Sequence, residues 1–194
     1  MSYTNNLFKI DNVPDEVIRE RLITPLSNGD VERYFGSGTE SEIMKYSDLD
    51  NYETIDDLLP KPFDYRILLI ETKQNVGHWV LILKYNNTIE YFNSYGVNAD
   101  IQKNSLNRMM NRMLGQKEDF ITKLLKNSKY KYTINNIPFQ SKNPQIATCG
   151  RWCIIRILTA EKTGMNLPAF TSYVLRNCEK MRVSPDEFVS IFIT

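Results

Sequence analysis

The run Thr148-Cys149-Gly150-Arg151-Trp152-Cys153-Ile154-Ile155-Arg156-Ile157-Leu158-Thr159-Ala160 decides the fold class. From Cys149 onward it is apolar almost all round, and a helix without a polar face has to be buried. Working outward, Tyr65-Arg66-Ile67-Leu68-Leu69-Ile70 and Trp79-Val80-Leu81-Ile82-Leu83 are short apolar runs suited to buried central strands. Asn86-Asn87 offers a tight turn into Thr88-Ile89-Glu90-Tyr91-Phe92, which predicts a hairpin between the second and third strands. Tyr130 to Ile134 reads as a further strand. Leu106, Met109, Met110, Met113 and Leu114 share one face of a helix that Gly115 ends, a stripe read as core packing. Phe120, Ile121, Leu124 and Leu125 mark a second short helix. Ser184-Pro185-Asp186-Glu187 combines a cap residue, an initial proline and a glutamate at the third helical position, a helix start. Helices, strands, helices, a strand and a buried helix in that order make an α+β protein.

Residues 1–64 read as short helices broken by turns: Val13-Pro14-Asp15-Glu16 opens one with proline at the first position, and Asn28-Gly29, Gly36-Ser37-Gly38 and Pro60-Lys61-Pro62 punctuate the rest. This third holds 6 Lys/Arg against 14 Asp/Glu, whereas residues 101–132 hold 8 against 2, so the formal charge of +1 conceals an acidic start and a basic middle. Arg108 and Arg112 sit opposite the methionine stripe, followed by Lys117, Lys123, Lys126, Lys129 and Lys131. Such a patch is either solvated helix surface or a phosphate-backbone contact, the latter marked by steep salt dependence.

At 194 residues and 42% hydrophobic content the chain suits one domain with a sizeable core: an acidic, mostly helical extension over 1–64, a central unit over 65–160 and C-terminal helices over 161–194. No apolar run approaches the roughly 20 residues that span a bilayer, and the first residues lack the pattern of a secretory signal. Three cysteines cannot build a disulfide framework and fit a reducing, intracellular setting. With a single histidine beside them, no metal site is expected. Nineteen Asn and 19 Ile against 4 Ala trace AT-rich coding rather than chemistry.

Cys149 opens the buried helix, where the positive end of the backbone dipole favours the thiolate, the form that attacks carbonyl carbon. The bland alternative is a small buried hydrophobe, the reading given to Cys153 and Cys178. His78, in Gly77-His78-Trp79-Val80, opens a strand; Asn93, fifteen residues later, closes the next one. In a hairpin the start of one strand lies beside the end of its partner, so the two are expected to be neighbours. A cysteine nucleophile needs an imidazole to take its proton and a polar group to orient that imidazole. An oxyanion donor is also needed. Gln140, which directly follows a predicted strand, is preferred; Gln145 remains the alternative.

Gly-His-Trp, then Tyr-Phe-Asn-Ser-Tyr-Gly, then Gln and Thr-Cys-Gly-Arg-Trp-Cys, in that order over roughly residues 65–160, resembles the adenovirus-type maturation proteases and their SUMO-protease relatives. The Thr-Cys-Gly-Arg-Trp form is most like versions carried by large DNA viruses and virophages. The resemblance implies a cysteine-protease fold with a small mixed sheet packed on the nucleophile's helix. It assigns Cys149 as nucleophile, His78 as base and acid, Asn93 as orienter, Gln140 as oxyanion donor and Trp79 as a wall of the substrate channel. It further implies cleavage after glycine or small residues in viral structural precursors during virion maturation, in the host cytoplasm or viral factory and in the particle. An isopeptidase acting on ubiquitin-like conjugates is the enzymatic alternative, a catalytically silent binding protein the other. No cofactor is required by the chemistry; DNA or a small peptide is the activator the resemblance suggests, with Arg108, Arg112, Lys117, Lys123 and Lys126 as the DNA contact. Two departures stand out. Most of the family has Asp or Glu where this chain has Asn93, and the interval from Gln140 to Cys149 is longer than usual.

Overall fold

A computed structural model describes residues 13–36 and 42–194. The readings of the first twelve residues and of Ser37-Gly38 fall outside it. Five strands form one mixed sheet in sequential order: β1 (Ile43–Lys45), β2 (Asp64–Lys73), β3 (Val76–Tyr85), β4 (Thr88–Phe92) and β5 (Lys131–Ile134). The outer pairs β1–β2 and β4–β5 are parallel, the inner pairs antiparallel. Asn86 and Asn87, both at positive φ, make the β3–β4 turn.

Successive side chains of a strand face opposite ways, and both faces are covered. Trp79, Leu81 and Leu83 of β3 pack with helix α6 (Cys149–Thr163), α7 (Leu167–Met181) and α8 (Pro185–Phe192). Val80 and Ile82 face Tyr46, Leu49, α3 (Ile55–Leu58) and α5 (Phe120–Lys126). Helix α6 is thus the buried central helix its composition demanded. Inside it, Arg156 meets Glu90 of β4 in a two-pronged pair with both contacts at 2.6 Å, each side chain 0% exposed, and Tyr85 donates to the same carboxylate at 2.7 Å. Arg156→Met is expected to cost about 3–5 kcal/mol in denaturant unfolding, because it strands the Glu90 charge; Arg156→Met with Glu90→Leu should recover most of that loss.

Several local expectations change. Residues 43–45 form a strand rather than helix or turn: Ile43-Met44-Lys45 is stabilised by parallel pairing with Ile67, Leu68 and Leu69, a long-range cause. Asn28-Gly29 does not break the chain but begins α2 (Asn28–Phe35), because Ser27 and Asp30 form a reciprocal capping box. Pro14 stands at the cap before α1 (Asp15–Ile23), not at its first position. The methionine stripe is not core. Helix α4 spans only Arg108–Met113, and Met109 and Met113 are each 71% exposed. The inward residue is Asn111, whose amide donates to Lys103 O at 2.9 Å and accepts from Gln116 at 3.1 Å. Among the described residues no helix is long and apolar enough to cross a membrane.

Candidate active site

β3 pairs with β4 only from Leu81 onward, so the first residues of β3, held on that side of the sheet by β2 alone, lie beside the chain that leaves β4. Here the structure brings His78 and Asn93 together. Asn93 Oδ1 receives the backbone N–H of Tyr95 at 2.9 Å, which identifies it as the oxygen. The ring nitrogen facing it, His78 Nε2 at 2.9 Å, therefore carries the proton, leaving Nδ1 as the basic nitrogen. The Tyr95 ring stacks on the imidazole, centroids 4.3 Å apart and 12° from parallel. Asn93 is itself held: Asn135 donates to its backbone carbonyl at 2.8 Å, and Gly96 closes the turn after it with an N–H to that same oxygen at 2.8 Å. Gly96, at φ 66°, has the backbone of Ile137 and Pro138 where a side chain would stand.

Cys149 is the first residue of α6, and the N–H groups of Trp79, Gly150 and Cys149 itself face its sulfur. The thiol thus lies against the residue next to His78. Burial nevertheless pushes the Cys149 thiol up, outweighing those N–H groups, the opposite of the direction that its place at a helix start predicts. Burial also lowers His78 from 6.5 to about 4, against the opposing pull of its bond to Asn93. Both shifts favour the neutral forms, thiol and imidazole. Cys153 is held well above its ordinary value and Cys178 is pushed to about 11, both by burial, and both are packing residues.

Gln140 is buried and Gln145 exposed. The Gln140 amide is oriented by Ser94, whose hydroxyl donates to Oε1 at 2.7 Å and whose carbonyl receives the Gln140 N–H at 2.9 Å. Its Nε2 donates to Ile146 O at 3.1 Å and reaches the Tyr95 hydroxyl at only 3.5 Å. That long contact marks the hydrogen most readily given to another oxygen. Among the described residues, Gln145 bonds through its backbone N–H, which donates to Asn143 Oδ1 at 3.0 Å within its own turn. Trp79 and Leu26 both close on the start of α6: a Cβ on Gly150 would stand 3.5 Å from Trp79 Cδ1 and 3.3 Å from Leu26 Cβ. The same two residues line a cavity of about 750 Å³ that continues past Met44, Leu69, Val76 and Gly77.

Residues that sequence reasoning left without a role are Ser94, Tyr95 and Asp186. The first two lie in the quoted motif, but both meet Gln140 about 45 residues away, and Tyr95 also stacks on His78. Of the basic residues, Lys117 and Lys129 are engaged by Asp50 at 2.8 Å and Asp56 at 2.7 Å, while Arg108, Arg112, Lys123 and Lys126 are exposed.

A thiol at a helix start, an imidazole oriented by one amide and a second amide close by define a candidate thiol-hydrolase site on an α+β fold. The chain belongs to the family of the "Uncharacterized protein V9" of Sputnik virophage, to which it is 35% identical over 167 residues, 86% of this chain and 92% of that protein. No protein-family model matches. Among solved structures, the ASFV pS273R protease is similar at 16% identity and a TM-score of 0.48, covering 90% of this chain and 70% of that one. The SUMO protease Ulp1 is similar at 11% identity and a TM-score of 0.39, over 94% and 98% of the two chains.

Asn93 is the departure with a measurable consequence. Asn93→Ala should lower kcat by about tenfold to a thousandfold without eliminating turnover, since thiol and imidazole remain. Asn93→Asp keeps an acceptor for both N–H groups and sets a negative charge on the ring, which raises the His78 pKa. The base is lost as pH falls through that pKa. With His78 as the base, the acid limb of the kcat/KM profile is expected to follow the lowered pKa of the native His78, and Asn93→Asp should move it up by about one to three pH units. An unmoved limb in Asn93→Asp with full activity in Asn93→Ala would place the orienting group elsewhere.

Proposed function

We propose that the protein is a cysteine endopeptidase that cleaves after glycine or another small residue, acting on viral structural precursors during particle maturation. The observation that carries this reading is the 2.9 Å bond from His78 Nε2 to Asn93 Oδ1, which leaves His78 Nδ1 basic one residue from the backbone N–H that faces Cys149. In the proposed reaction His78 Nδ1 takes the thiol proton as sulfur attacks the scissile carbonyl. The oxyanion is received by the Cys149 N–H and a Gln140 Nε2 hydrogen. The protonated imidazole then delivers its proton to the leaving amine, and water repeats the sequence on the thioester. Because resting thiol and imidazole are both neutral, proton transfer accompanies attack rather than preceding it.

The preference for small residues is supported by Trp79 and Leu26, which crowd the helix start and leave little room beside the thiol. Membership in a family with a virophage protein supports the viral setting. The test joins labelling to cleavage. An iodoacetamide-type probe should label Cys149 at least about tenfold faster than Cys153 and Cys178, because burial raises all three thiols but Cys149 alone lies against the residue next to His78, whose imidazole can take its proton as it attacks. Peptides with glycine before the bond should be hydrolysed, and bulky residues there rejected. Equal labelling of the three cysteines with no hydrolysis would favour a silent binding protein. Turnover confined to ubiquitin-like conjugates would favour an isopeptidase.

A further inference from the structure

The loop that separates Gln140 from Cys149 is gripped at both ends by one side chain from another part of the fold. Asp186, in the first turn of α8, is buried, and its Oδ2 accepts the backbone N–H of Ser141 at 2.8 Å. Its Oδ1 accepts the Thr148 hydroxyl at 2.5 Å. Ser141 directly follows the candidate oxyanion donor and Thr148 directly precedes the candidate nucleophile. One rigid carboxylate thus spans the two neighbours of the two groups whose separation matters. Helix α8 does not need Asp186 for its own start. Ser184 and Glu187 cap it reciprocally, with Ser184 N–H donating to Glu187 at 2.7 Å and Glu187 N–H to Ser184 at 3.2 Å. The Asp186 carboxylate is therefore spared for the loop, with the Trp152 indole of α6 also turned toward it. The other long-range tie at this end of the loop, Ala147 N–H to Leu22 O at 2.8 Å, fastens it to α1 and not to its own beginning.

We propose that Asp186 is a positioning residue that sets the separation of the Gln140 amide and the Cys149 thiol, and so the geometry in which the oxyanion is received. The inference rests on the hydrolase reading above. Oxyanion donors stabilise a transition state only when they already point to where charge will develop, and a displacement of about 1 Å costs on the order of a hundredfold in rate. Gln140 is fixed to Ser94 on one side and its Nε2 meets Ile146 O within the loop; Asp186 adds the constraint that ties both ends of the loop to α8.

The experiment compares Asp186→Ala, Asp186→Asn and Ser184→Ala on a glycine-containing peptide amide, well below each variant's melting temperature. Asp186→Ala loses both bonds and should lower kcat about tenfold to a hundredfold at nearly constant KM. Iodoacetamide alkylation of Cys149, which forms no oxyanion, should stay within about threefold. Asp186→Asn can accept the Ser141 N–H through Oδ1 and donate to the Thr148 hydroxyl through Nδ2, so it should restore most of kcat. Ser184→Ala weakens α8 without touching either bond and should leave kcat unchanged. Full kcat in Asp186→Ala, or an equal loss in Ser184→Ala, overturns the proposal. If Asp186→Ala does not fold, Thr148→Val decides: it breaks one bond, a kcat loss at constant KM supports the proposal and an unchanged kcat overturns it. An inactive wild-type protein whose Cys149 is no more reactive than Cys153 removes the hydrolase reading and this one together. An active protein indifferent to Asp186 removes only this one.

Discussion

Cys149→Ala is expected to abolish peptide hydrolysis, with a loss in kcat on the order of 10⁶ and an unchanged fold. The size follows from the way the site is built. In the proposed reaction sulfur is the attacking atom, and the groups around it assist that attack rather than replace it. The His78 imidazole accepts a proton that would no longer exist, and the N–H groups facing the sulfur stabilise a charge that would no longer form. Cys153→Ala is the control. It lies one turn deeper on the same helix, is fully packed, and its thiol is held well above the usual range by burial, so it contributes volume rather than nucleophilicity. Its removal should cost about 1 kcal/mol of stability through a small cavity while most activity survives. Melting curves and turnover on one peptide separate the two effects. Comparable activity losses in two folded variants would mean that the nucleophile has been misassigned.

What was legible in the sequence is what local pattern dictates. The apolar runs that became β2, β3 and β4 are buried on both faces, so they read as continuous hydrophobic stretches. Helix α6 announced itself by lacking a polar face. Candidates for the thiol and the imidazole could also be named, because the chain has three cysteines and one histidine, whereas among 19 Asn the choice of Asn93 needed the hairpin register. What local pattern does not carry is the identity of distant partners. β1 exists because β2 offers it an edge. Periodicity correctly grouped Met109 with Met113, yet it does not say which side of a helix is covered, and here Asn111 turned inward to satisfy backbone carbonyls. Asp186 was visible only as part of a helix start; its carboxylate is spent on residues 38 and 45 positions away. The thiol shows the same limit energetically: its place at a helix start was readable, but the burial that outweighs it was not.

His78→Ala is expected to lower kcat nearly as far as loss of the nucleophile, by on the order of 10⁴ or more, because residues acting as a unit are non-additive. With one histidine in the chain no other imidazole can take its place. A thiol kept protonated by burial depends on that base more than a preformed thiolate would. The same substitution carries a second readout that does not rely on activity. Folding lowers the His78 pKa from 6.5 to about 4, chiefly by desolvation. The unfolded chain therefore binds a proton near 6.5 that the folded protein refuses until about 4. The contribution is present in full above pH 6.5 and is lost as pH falls toward 4, amounting to about 3 kcal/mol. His78→Ala removes this part of the acid sensitivity, so its stability should fall less steeply than that of the native protein between pH 6.5 and 4. Parallel stability–pH curves would mean that the imidazole is not held neutral by its surroundings. Substantial turnover near neutral pH would exclude His78 as the base, and with it the assignment of Asn93, whose role is defined by the bond between them.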